Sequence, residues 1–123
     1  MPQGGISDAV TGIILDVRSE GECMAKGYWI AHVDVTDPEG YKDYQAANAI
    51  AFRKYGARFL VRGGASEQPE GRLRSRHVVI EFADYATALA CYRSPEYEAA
   101  REKRRGKGDI DLVIVEGYDG AQP

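Results

Sequence analysis

Apolar and polar residues alternate with a period of two in three separate stretches of this chain, and each alternation separates a dry face from a mixed one. In Tyr28–Val35 the dry face is Trp29, Ala31, Val33 and Val35, and the mixed face is Tyr28, Ile30, His32 and Asp34. In 57–62, Phe59 and Val61 share one face while Arg58, Leu60 and Arg62 share the other. In 76–82, Val78, Ile80 and Phe82 oppose His77, Val79 and Glu81. A fourth apolar run, 110–116, closes the series.

Between the first two runs the period changes to that of a helix. Asp37-Pro38 predicts its start, with a capping carboxylate and a proline at the first helical position, where the missing N–H costs nothing. Tyr41, Tyr44, Asn48, Ala51, Phe52 and Tyr55 recur at three- and four-residue spacing as the inward stripe, and Gly56 is the left-handed stop. After Asp84 a second helix carries Tyr85, Leu89 and Tyr92 at helical spacing until Ser94-Pro95 interrupts it and caps a further segment, 95–105. The order strand–helix–strand, repeated, is βαββαβ: an α+β, ferredoxin-like chain whose strands should lie in the order 4-1-3-2 with the helices on one face.

A chain of 123 residues, 44% hydrophobic and 28% charged, supports one core. The expected division is an N-terminal extension over 1–23, a domain over 24–118 and a short tail over 119–123; Met24 is a second candidate start, and Ile13–Val17 within the extension is alternatively an edge strand or an arm that packs on a neighbour. A net charge of −3 argues against general affinity for nucleic acid or an anionic membrane. The basic runs around Arg72–Arg76 and Arg101–Lys107 read as a solvated hairpin and a helix end. Cys23 and Cys91 match no disulfide or CxxC pattern, no run reaches the roughly 20 apolar residues of a membrane span, and no secretory pattern leads the chain, so a reducing, cytoplasmic setting is expected.

Several segments together, Gly27-Tyr28-Trp29-Ile30, Asp37-Pro38-Glu39-x-Tyr41-x-x-Tyr44, Gly56–Gly64, Glu81-Phe82 and Tyr92-x-Ser94-Pro95-Glu96-Tyr97, resemble domain-of-unknown-function family 1330. The resemblance spans about Met24 to Gly117 and implies a dimeric α+β barrel, that is, a homodimer of ferredoxin-like subunits. It implies no reaction: the wider superfamily includes cofactor-free monooxygenases, isomerases of small ring compounds and haem-handling proteins. The mixed sheet face, with Tyr28, Ile30, Leu60 and Val79, is the expected dimer surface.

Candidate chemistry is sparse. Arg62 and Glu81 are expected to meet across neighbouring strands, either as a structural ion pair or as a clamp for an anionic group; in an enzyme Arg62 would steady a developing anion and Glu81 would orient Arg62 or shuttle a proton. His32 is a candidate general base, or else a half-buried histidine bonded to a neighbour. Tyr28, Tyr44, Asn48, Arg62 and Tyr97 are candidate ligand-binding residues, with Tyr44 and Tyr97 equally readable as core. His77 reads as solvated and Cys91 as a small core residue. With two histidines and no carboxylate at ligand spacing, no metal or cofactor site is expected. The chain is therefore read as a small homodimer that binds or transforms a small polar or aromatic metabolite, or as a noncatalytic ligand-binding or stress-associated domain.

Overall fold

Trp29 organises the interior. The computed structural model describes residues 25–123, and in it the Trp29 ring lies 4.9 Å from Tyr97, 5.3 Å from Phe52 and 5.4 Å from Phe82, centroid to centroid. Its indole N–H donates to the carbonyl of Ala88 at 2.8 Å, so the one polar atom of the ring is satisfied in a dry setting.

Residues Gly27–Glu116 form one unit. Its elements run β1 (Gly27–Val35), α1 (Pro38–Lys54), β2 (Arg58–Arg62), β3 (Arg76–Phe82), α2 (Tyr85–Tyr92), α3 (Pro95–Lys103) and β4 (Gly108–Glu116). The sheet order is β2-β3-β1-β4, with every neighbouring pair antiparallel, as the doubled βαβ pattern predicts. All three helices contribute to a single buried cluster with Trp29, Ala31, Val33, Ile80 and Phe82, so they cover the dry face of the sheet. Residues 25–26 and 117–123 lie outside this unit and carry no helix or strand; the Tyr118 hydroxyl donates to the carbonyl of Ala121 at 2.6 Å. The expected extension over 1–23 lies outside the described residues. Among those described, no helix is long and apolar enough to cross a membrane.

Local chemistry accounts for the helix boundaries. The Asp37 carboxylate accepts the Gly40 N–H at 3.1 Å with Pro38 at the first turn, and Gly56, at φ 67°, ends α1. Asp84 caps α2 through the Thr87 N–H at 2.7 Å, and Ser94 caps α3 through the Tyr97 N–H at 3.1 Å. Gly27 is fixed by space: a Cβ there would overlap the Asp84 carbonyl and lie 2.8 Å from the Tyr85 Cα.

In β2 the structure corrects the expected faces. Phe59 pairs with Ile80, but Val61 pairs with Val79 and Arg62 with Val78, leaving Leu60 as the extra residue of a β-bulge. Beyond the bulge the alternation inverts. Val61 turns to the open face beside Val79, and Arg62 turns to the helix side beside Phe59 and Val78.

Candidate functional site

Between α1 and the sheet, one end of the core is left incompletely filled. A cavity of about 40 Å³ is lined by Tyr41, Tyr44, Gln45 and Asn48 from α1 and by Phe59, Arg62, Arg76 and Val78 from β2 and β3, over a floor of aliphatic and aromatic core residues. The helical stripe supplies its polar groups: Tyr41, Tyr44 and Asn48 are each less than a tenth exposed. Arg62 is exposed at the mouth with its guanidinium 4.2 Å from the centre of the Phe59 ring, a cation–π contact. Arg76 is half-buried and passes over Gly63, where a Cβ would collide with the guanidinium; at φ 69° that glycine also makes the turn out of β2.

Behind the cavity lies a phenol pair. The hydroxyls of Tyr44 and Tyr97 are 2.6 Å apart and buried, and the Arg104 guanidinium sits 5.4 Å from the Tyr44 ring centre. Burial and the neighbouring Tyr44 push the Tyr97 phenol well above its ordinary value, with Arg104 pulling weakly the other way. Burial likewise raises Tyr41 to about 12, against the opposing pull of Arg104 and Arg76. These phenols therefore stay protonated at neutral pH and act as hydrogen-bond donors or acceptors. A wider groove of about 610 Å³ runs between α3 and β4, but its two arginines are seated on rings, Arg101 on Tyr92 and Arg104 on Tyr44.

The structure separates the residues expected to act together. Arg62 and Glu81 do not meet: Glu81 lies opposite Arg58 and accepts the Tyr28 hydroxyl at 3.3 Å, while the bulge puts Arg62 opposite Val78 on the other side of the sheet. His32, Glu81 and Tyr28 share the open face, away from the cavity, and none lines it. Nor is His77 simply solvated. It lies directly opposite His32, with the two Nδ1 atoms 2.8 Å apart. Tyr97 is fully buried and reaches the cavity only through Tyr44. Of the expected ligand-binding residues, Tyr44, Asn48 and Arg62 line the cavity.

Three polar lining residues were missed as site residues in the sequence, Tyr41, which reads there as inward stripe, Gln45 and Arg76. The signal for Arg76 was present: it shares the parity of Val78, Ile80 and Phe82, and therefore the dry face. Its place in a basic run concealed this. The neighbouring Arg74 explains the rest of the run, for it bridges Asp34 at 3.2 Å and Asp111 at 3.1 Å on the other face. The Ser75 N–H and hydroxyl also donate to Asp34, and these bonds with Arg74 hold its carboxyl below the usual range.

The sequence matches the family described as a domain of unknown function, DUF1330, over residues 26–118. The chain belongs to that family. No curated protein matches it significantly. Among solved structures, a protein of unknown function from Rhodopseudomonas palustris is similar at TM-score 0.60 and 16% identity, covering 80% of this chain and 85% of that one. SnoaB, a cofactor-independent oxygenase from Streptomyces nogalater, is similar at TM-score 0.52 and 12% identity, covering 80% and 96%. A dimeric protein of unknown function with a ferredoxin-like fold from Bacteroides fragilis is similar at TM-score 0.50 and 14% identity, covering 74% and 95%. These likenesses establish the ferredoxin-like α+β fold for this DUF1330 chain.

Proposed function

We propose that this DUF1330 protein is a cytoplasmic homodimer that binds a small aromatic or polar metabolite bearing an anionic group in the cavity between α1 and the sheet. The observation that carries the reading is the convergence of Arg62 and Arg76 on an aromatic-walled space whose lining contains no carboxylate. Among the described residues neither guanidinium forms an ion pair with a carboxylate, so both forks have donors for a ligand. Tyr41, Tyr44 and Asn48 then orient a polar substituent, and Phe59 offers a ring face.

The free space limits what enters. About 40 Å³ accommodates one or two water-sized groups, far short of the roughly 300 Å³ of a typical ligand pocket. A metabolite is therefore held with its anionic end outward between the arginines and its inner end in the cavity, and Arg62, exposed and on a strand end, is the side chain that swings to admit it. The geometry favours binding over catalysis. His32 and Glu81, the candidate proton-transfer groups, lie across the sheet, and no histidine or carboxylate lines the cavity, so the site suits an anion already formed in solution.

Dimerisation is assigned to the open sheet face. Ile30, Val61, Val79, Val113 and Val115 gather there around Tyr28, and Val113 and Val61 are 52% and 42% exposed in the single chain. A two-fold pairing that covers this row should bury about 1,200 Å² or more in total.

A thermal-shift screen of small aromatic carboxylates and phenols tests the binding reading. Arg62→Met keeps the aliphatic stem and deletes the fork, so a ligand found in the screen should lose about 1.5–3 kcal/mol of affinity, as should Arg76→Met. Unchanged binding in both variants would place the site elsewhere. In sedimentation, Val113→Lys should shift the protein to monomer without loss of helix content.

A further inference from the structure

Both histidines of the chain are on one spot of the open sheet face. They are 45 residues apart in sequence, on β1 and β3, and directly opposite in register. Their Nδ1 atoms are 2.8 Å apart, the ring centroids 5.0 Å, and the ring planes cross at 74°. As neutral imidazoles they share a single N–H···N hydrogen bond, with one ring as donor and the other as acceptor.

We propose that His32 and His77 form a two-nitrogen chelate for a divalent transition-metal ion that prefers cis, right-angled ligands, Cu(II) or Ni(II). The separation is the argument. Two metal–nitrogen bonds of about 2.0 Å meeting at a right angle place their nitrogens about 2.8 Å apart, whereas a tetrahedral ion such as Zn(II) asks for about 3.3 Å. The pair thus has the tetragonal separation as it stands, neighbouring paired strands hold the two backbones, and binding turns the rings so that both lone pairs converge on the ion. Binding moves the shared proton of the donor ring from Nδ1 to Nε2, which frees both Nδ1 lone pairs for the metal. The neutral pair keeps its proton count.

The surroundings favour a dication. Asp34, Asp109 and Asp111 lie at the same end of the open face, with Arg74 bridging Asp34 and Asp111. Three carboxylates against one guanidinium leave the local field negative. Asp111 is opposite His32 on β4, but its carboxylate is turned to Arg74. Among the described residues no third histidine, cysteine or carboxylate completes a cage, so water fills the remaining positions. In the single chain both imidazoles are only half-buried, at the border between the apolar row assigned to dimerisation and this polar end.

Titration of the full chain, free of any polyhistidine tag, with Ni(II) near neutral pH in a non-chelating buffer tests the assignment by calorimetry. The expected result is one ion per chain with a dissociation constant in the micromolar range, weakened about tenfold or more in His32→Phe and again in His77→Phe. The Cu(II)-loaded protein should show two nitrogen ligands by electron paramagnetic resonance. Near-UV circular dichroism of the Trp29 environment monitors folding, and His→Gln at each position replaces any phenylalanine variant that fails to fold. No Ni(II) uptake up to about 1 mM, or uptake unchanged in folded variants at both positions, overturns the proposal and leaves the pair as an imidazole–imidazole hydrogen bond.

Discussion

Removing either hydroxyl of the Tyr44–Tyr97 pair should cost more than removing both costs per group. The two oxygens are 2.6 Å apart, Tyr97 is fully buried and Tyr44 is 7% exposed. Tyr97→Phe keeps the ring against Trp29, 4.9 Å away, and deletes only the O–H, which leaves the Tyr44 hydroxyl buried without its partner. A buried polar group orphaned in this way costs about 1–3 kcal/mol, and Tyr44→Phe should cost a similar amount. In the double variant both polar groups are gone, so its cost should stay near that of one single change. Arg104, whose Nε is buried without a partner beside these rings, keeps it from falling to zero. With about 1.5 kcal/mol for each variant, the cycle gives a coupling of about 1.5 kcal/mol, well above the few tenths expected of independent sites. At a fixed protein concentration, since self-association contributes to apparent stability, each single variant should melt roughly 6–12 °C lower. Urea unfolding of the four proteins measures the coupling directly. Additive costs would mean that the two hydroxyls find solvent separately, and Tyr97 would then lose its role in orienting Tyr44 at the cavity.

Gly27→Ala should destabilise by roughly 2 kcal/mol or more, read from the urea midpoint, because its methyl has only the Asp84 carbonyl and the Tyr85 backbone to displace. Asp84→Ala should remove about 1 kcal/mol of cap. Hydrogen bonds from Thr87 hold the Asp84 carboxyl below its ordinary value, so its stabilisation is fully present above the unfolded pKa near 4 and is lost as pH falls through the folded one; the gap between wild type and Asp84→Ala should close below about pH 4, and a pH-independent gap would refute the cap. A chain beginning at Met24 should unfold cooperatively and sediment like the full chain; aggregation or non-cooperative melting would make Ile13–Val17 part of the fold.

The fold was legible because its signals are local and repeated. Period-two alternation in Tyr28–Val35 and 76–82, the Asp37-Pro38 and Ser94-Pro95 starts and the Gly56 stop each mark an element by its own chemistry, and their order leaves few topologies. The site was legible only where it sits on such an element: Tyr44 and Asn48 follow from the α1 stripe. What failed was inference across strands. Placing Glu81 against Arg62 required both a different register, since Arg58 is the residue opposite Glu81, and an unbroken β2, and nothing in Arg58-Phe59-Leu60-Val61-Arg62 marks Leu60 as the extra residue. The His32–His77 contact needed a register between β1 and β3 that depends on a 13-residue connection and a helix away in sequence, and spacing along the chain carries no trace of it.

That bulge decides how the molecule divides its chemistry. In regular alternation Leu60 would stand opposite Val79 and Arg62 would join His77 on the open face, adding a further guanidinium beside its apolar row. With Leu60 extruded, Val61 takes the place beside Val79 and Arg62 moves under α1 to the cavity mouth. One inserted residue thus keeps an aliphatic side chain beside Val79 on the surface suited to self-association and moves a guanidinium from that surface to the site suited to an anion. The pairing beyond the bulge also tells what its removal does: with Leu60 deleted, Phe59 still meets Ile80, Val61 meets Val79 and Arg62 meets Val78 in an unbroken ladder. Substitution at Leu60, which is 46% exposed, should therefore be nearly neutral for stability, and its deletion should leave Arg62 at the cavity. A deletion variant that folds but responds to ligands as Arg62→Met does would show that the twist of the bulge, and not the register alone, aims the arginine.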